Sequence, residues 1–130
     1  MLQLTERRIL FAGDHLSDRE IPFVGESIGA YMDTLAIVRG LANRGEIDLL
    51  VPGHGDICGR VEILERIEED TDYLARLGAW VRETSRTVNS LEGILDRADE
   101  VVFRKGADNS DVIAEHRINI ERTARTLGIA

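Results

Sequence analysis

Two apolar segments, each ending near a glycine that precedes a side chain able to bind a metal, most constrain the fold of this chain. The first segment, Ile9 to Gly13, leads directly into Asp14, and the second, Ile47 to Gly53, leads directly into His54. Both apolar runs are typical of buried strands, and glycine lets the backbone turn sharply where a strand ends. A carboxylate and an imidazole presented by two strand ends provide half of a transition-metal site.

The stretch between these segments predicts how they are arranged. Ser27 is a good N-cap, and apolar residues then recur at helical spacing, so we expect an amphipathic helix from Ser27 to Asn43. A strand, a helix and a second strand of these lengths form a crossover unit with two parallel strands. Because sites in α/β proteins lie at the carboxyl ends of parallel strands, Asp14 and His54 are expected at the same edge of the sheet.

The remaining segments predict one short strand and three helices. Residues 1–4 are expected to pair as a strand with residues 8–12, and a long helix is expected from about Val61 to Glu83. Ser90 can cap a further helix that ends at Lys105-Gly106. Its expected apolar face consists of Leu91, Ile94, Leu95, Ala98 and Val102. A last helix, capped by Asn109 or Ser110, is expected to stack on one face the residues Ile113, Arg117, Ile120, Ala124 and Leu127. His116, on an apolar face of this helix, is expected to be packed and hydrogen-bonded.

Length, charge and cysteine content limit the function classes. The chain has 130 residues, 43% of them hydrophobic, and a net charge of −8, which is typical of one globular domain or part of one. An acidic chain without a basic cluster is a poor candidate for binding nucleic acid or an anionic membrane. No signal peptide or membrane-spanning run is evident, and the single Cys58 fits a reducing compartment, so we expect a cytoplasmic protein.

Several of these segments carry a resemblance to a known family. Residues 10–15 and 51–55 resemble the fourth and fifth motifs of the metallo-β-lactamase-fold hydrolases, and the helix and strand between them fit that order. Residues 16–23, with Tyr31 and Leu35 in the following helix, are similar to a bacterial branch of the superfamily. Residues 115–119 are similar to its closing helix.

The resemblance implies roles for particular side chains. In that family, the carboxylate matching Asp14 bridges two metal ions, and the imidazole matching His54 completes the shell of the second ion. His15 would then act beside the ligands or on the substrate side. The expected cofactor is zinc, with iron or manganese as alternatives, because a mixed carboxylate and imidazole set suits each of them. The implied reaction is attack of an activated water on a carbonyl or phosphoryl centre.

The family's His-x-His-x-Asp-His motif is absent, since the only histidines are His15, His54 and His116. The resemblance therefore implies an α/β fold that is half of an αββα sandwich, with residues 1–59 as the carboxy-terminal half of the α/β unit. Residues 60–130 would form a helical region on the same core. Met1 falls about where that half would begin, and we expect a truncated, cloned or split metal-dependent hydrolase that is inactive as a lone chain.

Other interpretations stand beside this one. If the two residues are not metal ligands, His54 is a loop histidine that caps a backbone group, and Asp14 is an aspartate that caps a turn. The chain is otherwise a non-catalytic remnant that acts as a self-associating module. Half a sandwich would leave an apolar sheet face bare, so either version predicts a homodimer or a complex with the missing amino-terminal half. The substrate stays open among thioesters, lactones, phosphodiesters and β-lactams.

Overall fold

The computed structural model describes residues 1–130 as an α/β fold with one four-stranded mixed sheet. The strands are β1 (Leu2–Leu4), β2 (Ile9–Gly13), β3 (Leu49–Pro52) and β4 (Cys58–Gly59), and they lie in the order β1-β2-β3-β4. Only β2 and β3 are parallel, whereas both outer strands pair with them in antiparallel fashion. The expected parallel pair is therefore confirmed, and β4 is an additional strand whose two residues are too few to leave a sequence pattern.

Four α-helices account for about half of the chain. They are α1 (Ile28–Asn43), α2 (Arg60–Thr84), α3 (Leu91–Leu95) and α4 (Ser110–Thr126). The Ser27 side chain accepts a hydrogen bond from the backbone N–H of Ala30 at 3.1 Å, which confirms the N-cap expected for α1. No helix combines the length and the apolar character needed to cross a membrane.

The two faces of the sheet have different surroundings. Leu10, Ala12 and Leu50 are almost completely buried and join a core cluster of 23 buried residues that reaches into all four helices. The alternate residues of the same strands point away from the helices, and the strand register places them together. This open sheet face consists of seven apolar residues, Leu2, Leu4, Ile9, Phe11, Leu49, Val51 and, directly before β4, Ile57.

The helix expected from Ser90 to Lys105 is much shorter in the structure. It ends at Leu95, and a single 3₁₀ turn follows at Ala98–Glu100. The carbonyl oxygens of Leu95 and Ala98 bond instead to side chains of α4, at 3.1 Å from Arg117 and 3.1 Å from the His116 ring. Tertiary hydrogen bonds have therefore replaced the helical ones, and Val102, expected on the buried face, is 72% exposed.

The buried stripe of α4 is rotated relative to the expected one. Ile120, Ala124 and His116 are buried as expected, but Ile113, Arg117 and Leu127 are exposed. The residues buried in their place are Val112, Asn119 and Thr123. The apolar periodicity gave the wrong stripe because Asn119 is a polar residue whose hydrogen bonds are satisfied inside the core.

Candidate metal centre

Two close-packed glycines place the candidate ligands side by side. Gly13 ends β2 with a positive φ of +60°, and the backbone N–H of Gly53 donates to the Gly13 carbonyl at 2.7 Å. A Cβ atom at Gly53 would lie 3.0 Å from that carbonyl oxygen, so only glycine fits there without movement. The chain therefore leaves both parallel strands at one edge of the sheet, where Asp14 and His54 follow.

The Asp14 and His54 side chains meet at this edge. The Oδ1 atom of Asp14 lies 3.9 Å from Nε2 of His54, and the two side chains are 88% and 62% exposed. This distance is too long for a hydrogen bond. Two ligands of one tetrahedral zinc ion lie about 3.4 Å apart, so a shift of about half an ångström would let both reach the same ion.

The donor set fits one side of a metal centre. An oxygen and a nitrogen donor suit zinc, iron or manganese. Across the chain, however, no group of three or more His, Cys, Asp or Glu side chains is placed to hold an ion. A catalytic zinc takes three protein ligands and leaves a fourth position open, so at least one further ligand would have to join this pair.

The two loops that carry Asp14 and His54 are joined by a hydrogen bond and an ion pair. The Asp18 carboxylate accepts a hydrogen bond from the backbone N–H of Asp56 at 2.9 Å, and Arg19 pairs with the Asp56 carboxylate at 2.5 Å. Burial raises the pKa of Asp18, but hydrogen bonds from backbone N–H groups, with help from nearby arginines, lower it overall. Gly55, with a φ of +115°, leaves the space that the Asp18 carboxylate occupies.

Buried cations hold the beginning of the loop formed by residues 14–26. Leu16 has a left-handed φ of +58°, which is costly for a residue other than glycine. Its carbonyl accepts a hydrogen bond from Arg66 of α2 at 2.9 Å. The next carbonyl, that of Ser17, accepts one from Lys105 at 2.8 Å, and Lys105 also forms a buried ion pair with Asp70. The backbone next to Asp14 is therefore fixed from inside the core.

Helix α4 holds the other end of the same loop. Asn119 donates to the Pro22 carbonyl at 2.7 Å and accepts from the Val24 N–H at 2.8 Å, and Arg122 donates to the Val24 carbonyl at 2.5 Å. Asn119 is fully buried, so these bonds are shielded from water. Nothing in the spacing of the sequence indicates these contacts, because the partners lie more than 90 positions apart.

His15 belongs to a neighbouring cleft. Its ring stacks against Tyr31 of α1 with a centroid distance of 4.7 Å, and burial lowers the pKa of its imidazole. The cleft has a volume of about 370 Å³ and is also lined by Phe23 and Thr34. The structure thus places His15 next to Asp14 in the chain and beside a cavity, with its ring against Tyr31.

The pKa of Glu115 of α4, which the sequence pattern did not single out as a site residue, depends in part on the charges of Asp14 and His54. Burial is the largest cause that raises the pKa of its carboxyl, followed by the charges of Glu20 and Asp111. The charges of His54 and Asp14 also act on this pKa, which His54 lowers and Asp14 raises. An acidic side chain from the last helix therefore lies within electrostatic reach of the sheet edge.

The other histidine and the cysteine have structural roles. His116 is buried, and its Nδ1 lies 2.8 Å from the Tyr73 hydroxyl, which confirms the packed, hydrogen-bonded histidine expected from its apolar surroundings. Burial raises the pKa of the Cys58 thiol to about 11, so this thiol stays protonated at neutral pH.

No protein-family model matches this chain, and no curated protein is similar to it at a significant level.

Proposed function

We propose that Asp14 and His54 are two ligands of a divalent metal centre, and that the chain is the carboxy-terminal part of a metal-dependent hydrolase with a metallo-β-lactamase-like sandwich. The observation that supports this most directly is the 3.9 Å distance between their donor atoms at the ends of two parallel strands. Both side chains are largely exposed, so they can bind an ion without breaking a buried interaction.

Each residue has a defined part in this proposal. Asp14 contributes a carboxylate whose two oxygens can contact one ion or bridge two, and His54 contributes a neutral imidazole nitrogen. The hydrogen bond from the Asp56 N–H to the Asp18 carboxylate holds the two loops next to each other. The chemistry that such an ion supplies when bound is a water with a pKa lowered towards ~7 and a positive charge next to the reacting centre.

The remaining ligands have to come from outside these 130 residues. Two ligands give weak binding and leave most of the coordination shell to water. A polypeptide with a His-x-His-x-Asp-His segment, in the same reading frame or encoded nearby, is the expected source. The complete hydrolase would then be formed by the two parts together, and the lone chain would hold metal without turning over substrate.

Zinc binding tests this proposal directly. Equilibrium dialysis of the purified protein against Zn²⁺ should give binding at least about tenfold tighter for the wild type than for the Asp14→Ala, His54→Ala double variant. The Asp33→Ala variant, which removes another exposed carboxylate on α1, is the control and should bind like the wild type. Equal metal retention by the wild type and the double variant would disprove the ligand assignment.

The alternative function, a self-associating module without metal chemistry, makes a different prediction for the same experiment. It expects no difference between the wild type and the double variant, and it assigns the open sheet face as the functional surface. The seven apolar residues of that face support this second candidate.

A further inference from the structure

Arg66 of α2 lies in the core beneath the two loops that follow β2 and β3. Its side chain is 4% exposed, Nη1 donates to the Leu16 carbonyl at 2.9 Å, and Nη2 lies 3.0 Å from the Glu62 carboxylate and 3.7 Å from that of Asp18. Its Nε atom has no hydrogen-bond partner within the protein. A buried guanidinium that is only partly paired adds little stability, and an apolar side chain of similar size often adds as much or more. The contacts of Arg66, rather than its contribution to stability, therefore explain why a cation is buried here.

On the β2 side, Arg66 holds a strained residue two positions after Asp14. Leu16 has a φ of +58° and is 1% exposed, so its backbone adopts a costly conformation within the core. A charge-assisted hydrogen bond from the Arg66 guanidinium to the Leu16 carbonyl offsets part of this cost. Because only one residue separates Leu16 from Asp14, a change in the Leu16 backbone also changes the direction in which the Asp14 carboxylate points.

On the β3 side, Arg66 acts through Asp18. The Nη2 atom of Arg66 lies 3.7 Å from one carboxylate oxygen of Asp18, and the other oxygen accepts a hydrogen bond from the backbone N–H of Asp56 at 2.9 Å. Asp56 is two residues after His54. Arg66 therefore fixes one point near each candidate ligand, although it forms no hydrogen bond or ion pair with either ligand.

We propose that Arg66 is a positioning residue for the metal centre, and that it holds the Asp14 and His54 side chains at a separation that one ion can bridge. This assignment rests on the proposed function, because it has meaning only if the two side chains bind a metal. Their donor atoms lie 3.9 Å apart, within about half an ångström of the separation expected for a shared zinc ion. Loops fixed at this separation need less ordering when the ion binds, which raises the affinity for it.

The shape of the Arg66 side chain, and not its charge, accounts for the proposed effect. A planar guanidinium can contact a carbonyl and a carboxylate at the same time through different nitrogens, whereas the single ammonium of lysine cannot hold the same pair of contacts. The charge of Arg66 acts in the opposite direction, because a nearby cation repels Zn²⁺. Loss of positioning should therefore weaken zinc binding, and loss of charge alone should strengthen it.

Two arginine-to-lysine variants on the same helix provide a matched test. Arg66→Lys keeps the charge and removes the guanidinium that contacts both loops. Arg76→Lys is the control, since Arg76 also donates to a carbonyl, that of Val102, at 2.6 Å and pairs with Asp72, and neither partner belongs to the two loops. Once circular dichroism has confirmed that both variants are folded, equilibrium dialysis against Zn²⁺ should show about fivefold weaker binding for Arg66→Lys and unchanged binding for Arg76→Lys.

Substitutions of Asp18 test the same connection outside the core, since its side chain is 30% exposed. Asp18→Asn and Asp18→Ala remove the same negative charge, but asparagine keeps an oxygen that can accept from the Asp56 N–H. Zinc binding by Asp18→Ala should therefore be about threefold weaker than by Asp18→Asn. If the connection only stabilised the fold, the two folded variants would bind zinc equally. This pair decides the question if Arg66→Lys does not fold.

The ligand assignment and the positioning role fail in different ways. Equal zinc binding by the wild type and the Asp14→Ala, His54→Ala double variant would overturn both, because there would be no site to position. If the wild type binds better than the double variant, three results would overturn the positioning role alone. These are wild-type or tighter binding by Arg66→Lys, an equal loss in Arg66→Lys and Arg76→Lys, and equal binding by the two folded Asp18 variants.

Discussion

At the scale of single residues, the most unusual feature is the Asp70–Lys105 ion pair buried beneath the loop of residues 14–26. The two side chains are 1% and 3% exposed, and Lys105 also donates to the Ser17 carbonyl. Burial raises the pKa of the Asp70 carboxyl to about 6, although the neighbouring Lys105 charge opposes this change. Removing either partner would leave a buried charge without compensation, which is far more costly than removing both.

This pKa predicts how stability depends on pH. Because the pKa of Asp70 is higher in the folded chain than its ordinary value of 3.8, the folded state binds more protons between these values, and stability falls as pH rises through about 6. Relative to Asp70→Asn, the wild type should lose about 2 kcal/mol of unfolding free energy between about pH 4.5 and pH 7.5. Urea titrations of both proteins across this range measure the difference, and a constant difference would mean that Lys105 keeps Asp70 ionised throughout.

Glycine substitutions in the two loops that follow β2 and β3 give a second prediction. A Cβ atom at Gly55 would lie 2.3 Å from Oδ1 of Asp18, and its φ of +115° is unfavourable for alanine. We therefore expect Gly55→Ala to lower the unfolding free energy by about 2 kcal/mol or more. Gly25→Ala is the control, since a Cβ there meets nothing within 4 Å, and its effect should stay within about 1 kcal/mol. Equal urea midpoints for the two variants would contradict this explanation.

The meeting of Asp14 and His54 at one sheet edge could be predicted from sequence, but the contacts that hold their loops could not. Asp14 and His54 directly follow strand-like segments with glycines, so local pattern and parallel pairing were enough to expect them at one edge. Arg66, Lys105 and Asp18 act through partners that are 35 to 88 positions away. Such pairs leave no periodic signal, because each depends on the three-dimensional arrangement of loops.

At the scale of secondary-structure elements, the loop of residues 14–26 depends on α4. Asn119→Ala removes the partners of the buried Pro22 carbonyl and Val24 N–H, which should cost about 2–4 kcal/mol of unfolding free energy. Hydrogen exchange should become faster for the amides of residues 20–26. Asn43→Ala, an exposed position at the end of α1, is the control and should change neither quantity. Unchanged exchange in the Asn119 variant would show that the loop holds its position without α4.

Elements with a strong apolar period were predictable, and those that depend on polar burial were not. The α1 boundaries and the parallel β2–β3 pair follow from local sequence, with Ser27 as the cap. The helix predicted to continue past Leu95 is absent. Arg117 and His116 bind the carbonyl groups of Leu95 and Ala98 instead. The predicted stripe of α4 was wrong in part because Asn119 is polar in sequence, although its hydrogen bonds are satisfied in the core.

At the scale of the whole molecule, the sheet has a covered face, an open face and an edge where Asp14 and His54 meet. The core lies between the sheet and the helices, so the exposed Asp14 and His54 contribute little to it. Metal binding and assembly are therefore separable: substitutions at the ligand pair should leave the fold intact, and Ile57→Glu should leave the ligand pair intact. This separation lets the metal-site proposal and the self-association alternative be tested one at a time.

Salt dependence tests the alternative function, in which two copies associate through the open sheet face. Each copy has a net charge of −8 and the open sheet face has no charged residue, so repulsion opposes association while apolar burial favours it. Raising the salt concentration from about 0.02 M to about 0.5 M shortens the range of that repulsion and should strengthen the wild-type dimer several-fold. Sedimentation equilibrium at both concentrations measures the dissociation constant. A dimer that weakens as salt is added would be held by charged pairs, and its interface would have to lie outside the open sheet face.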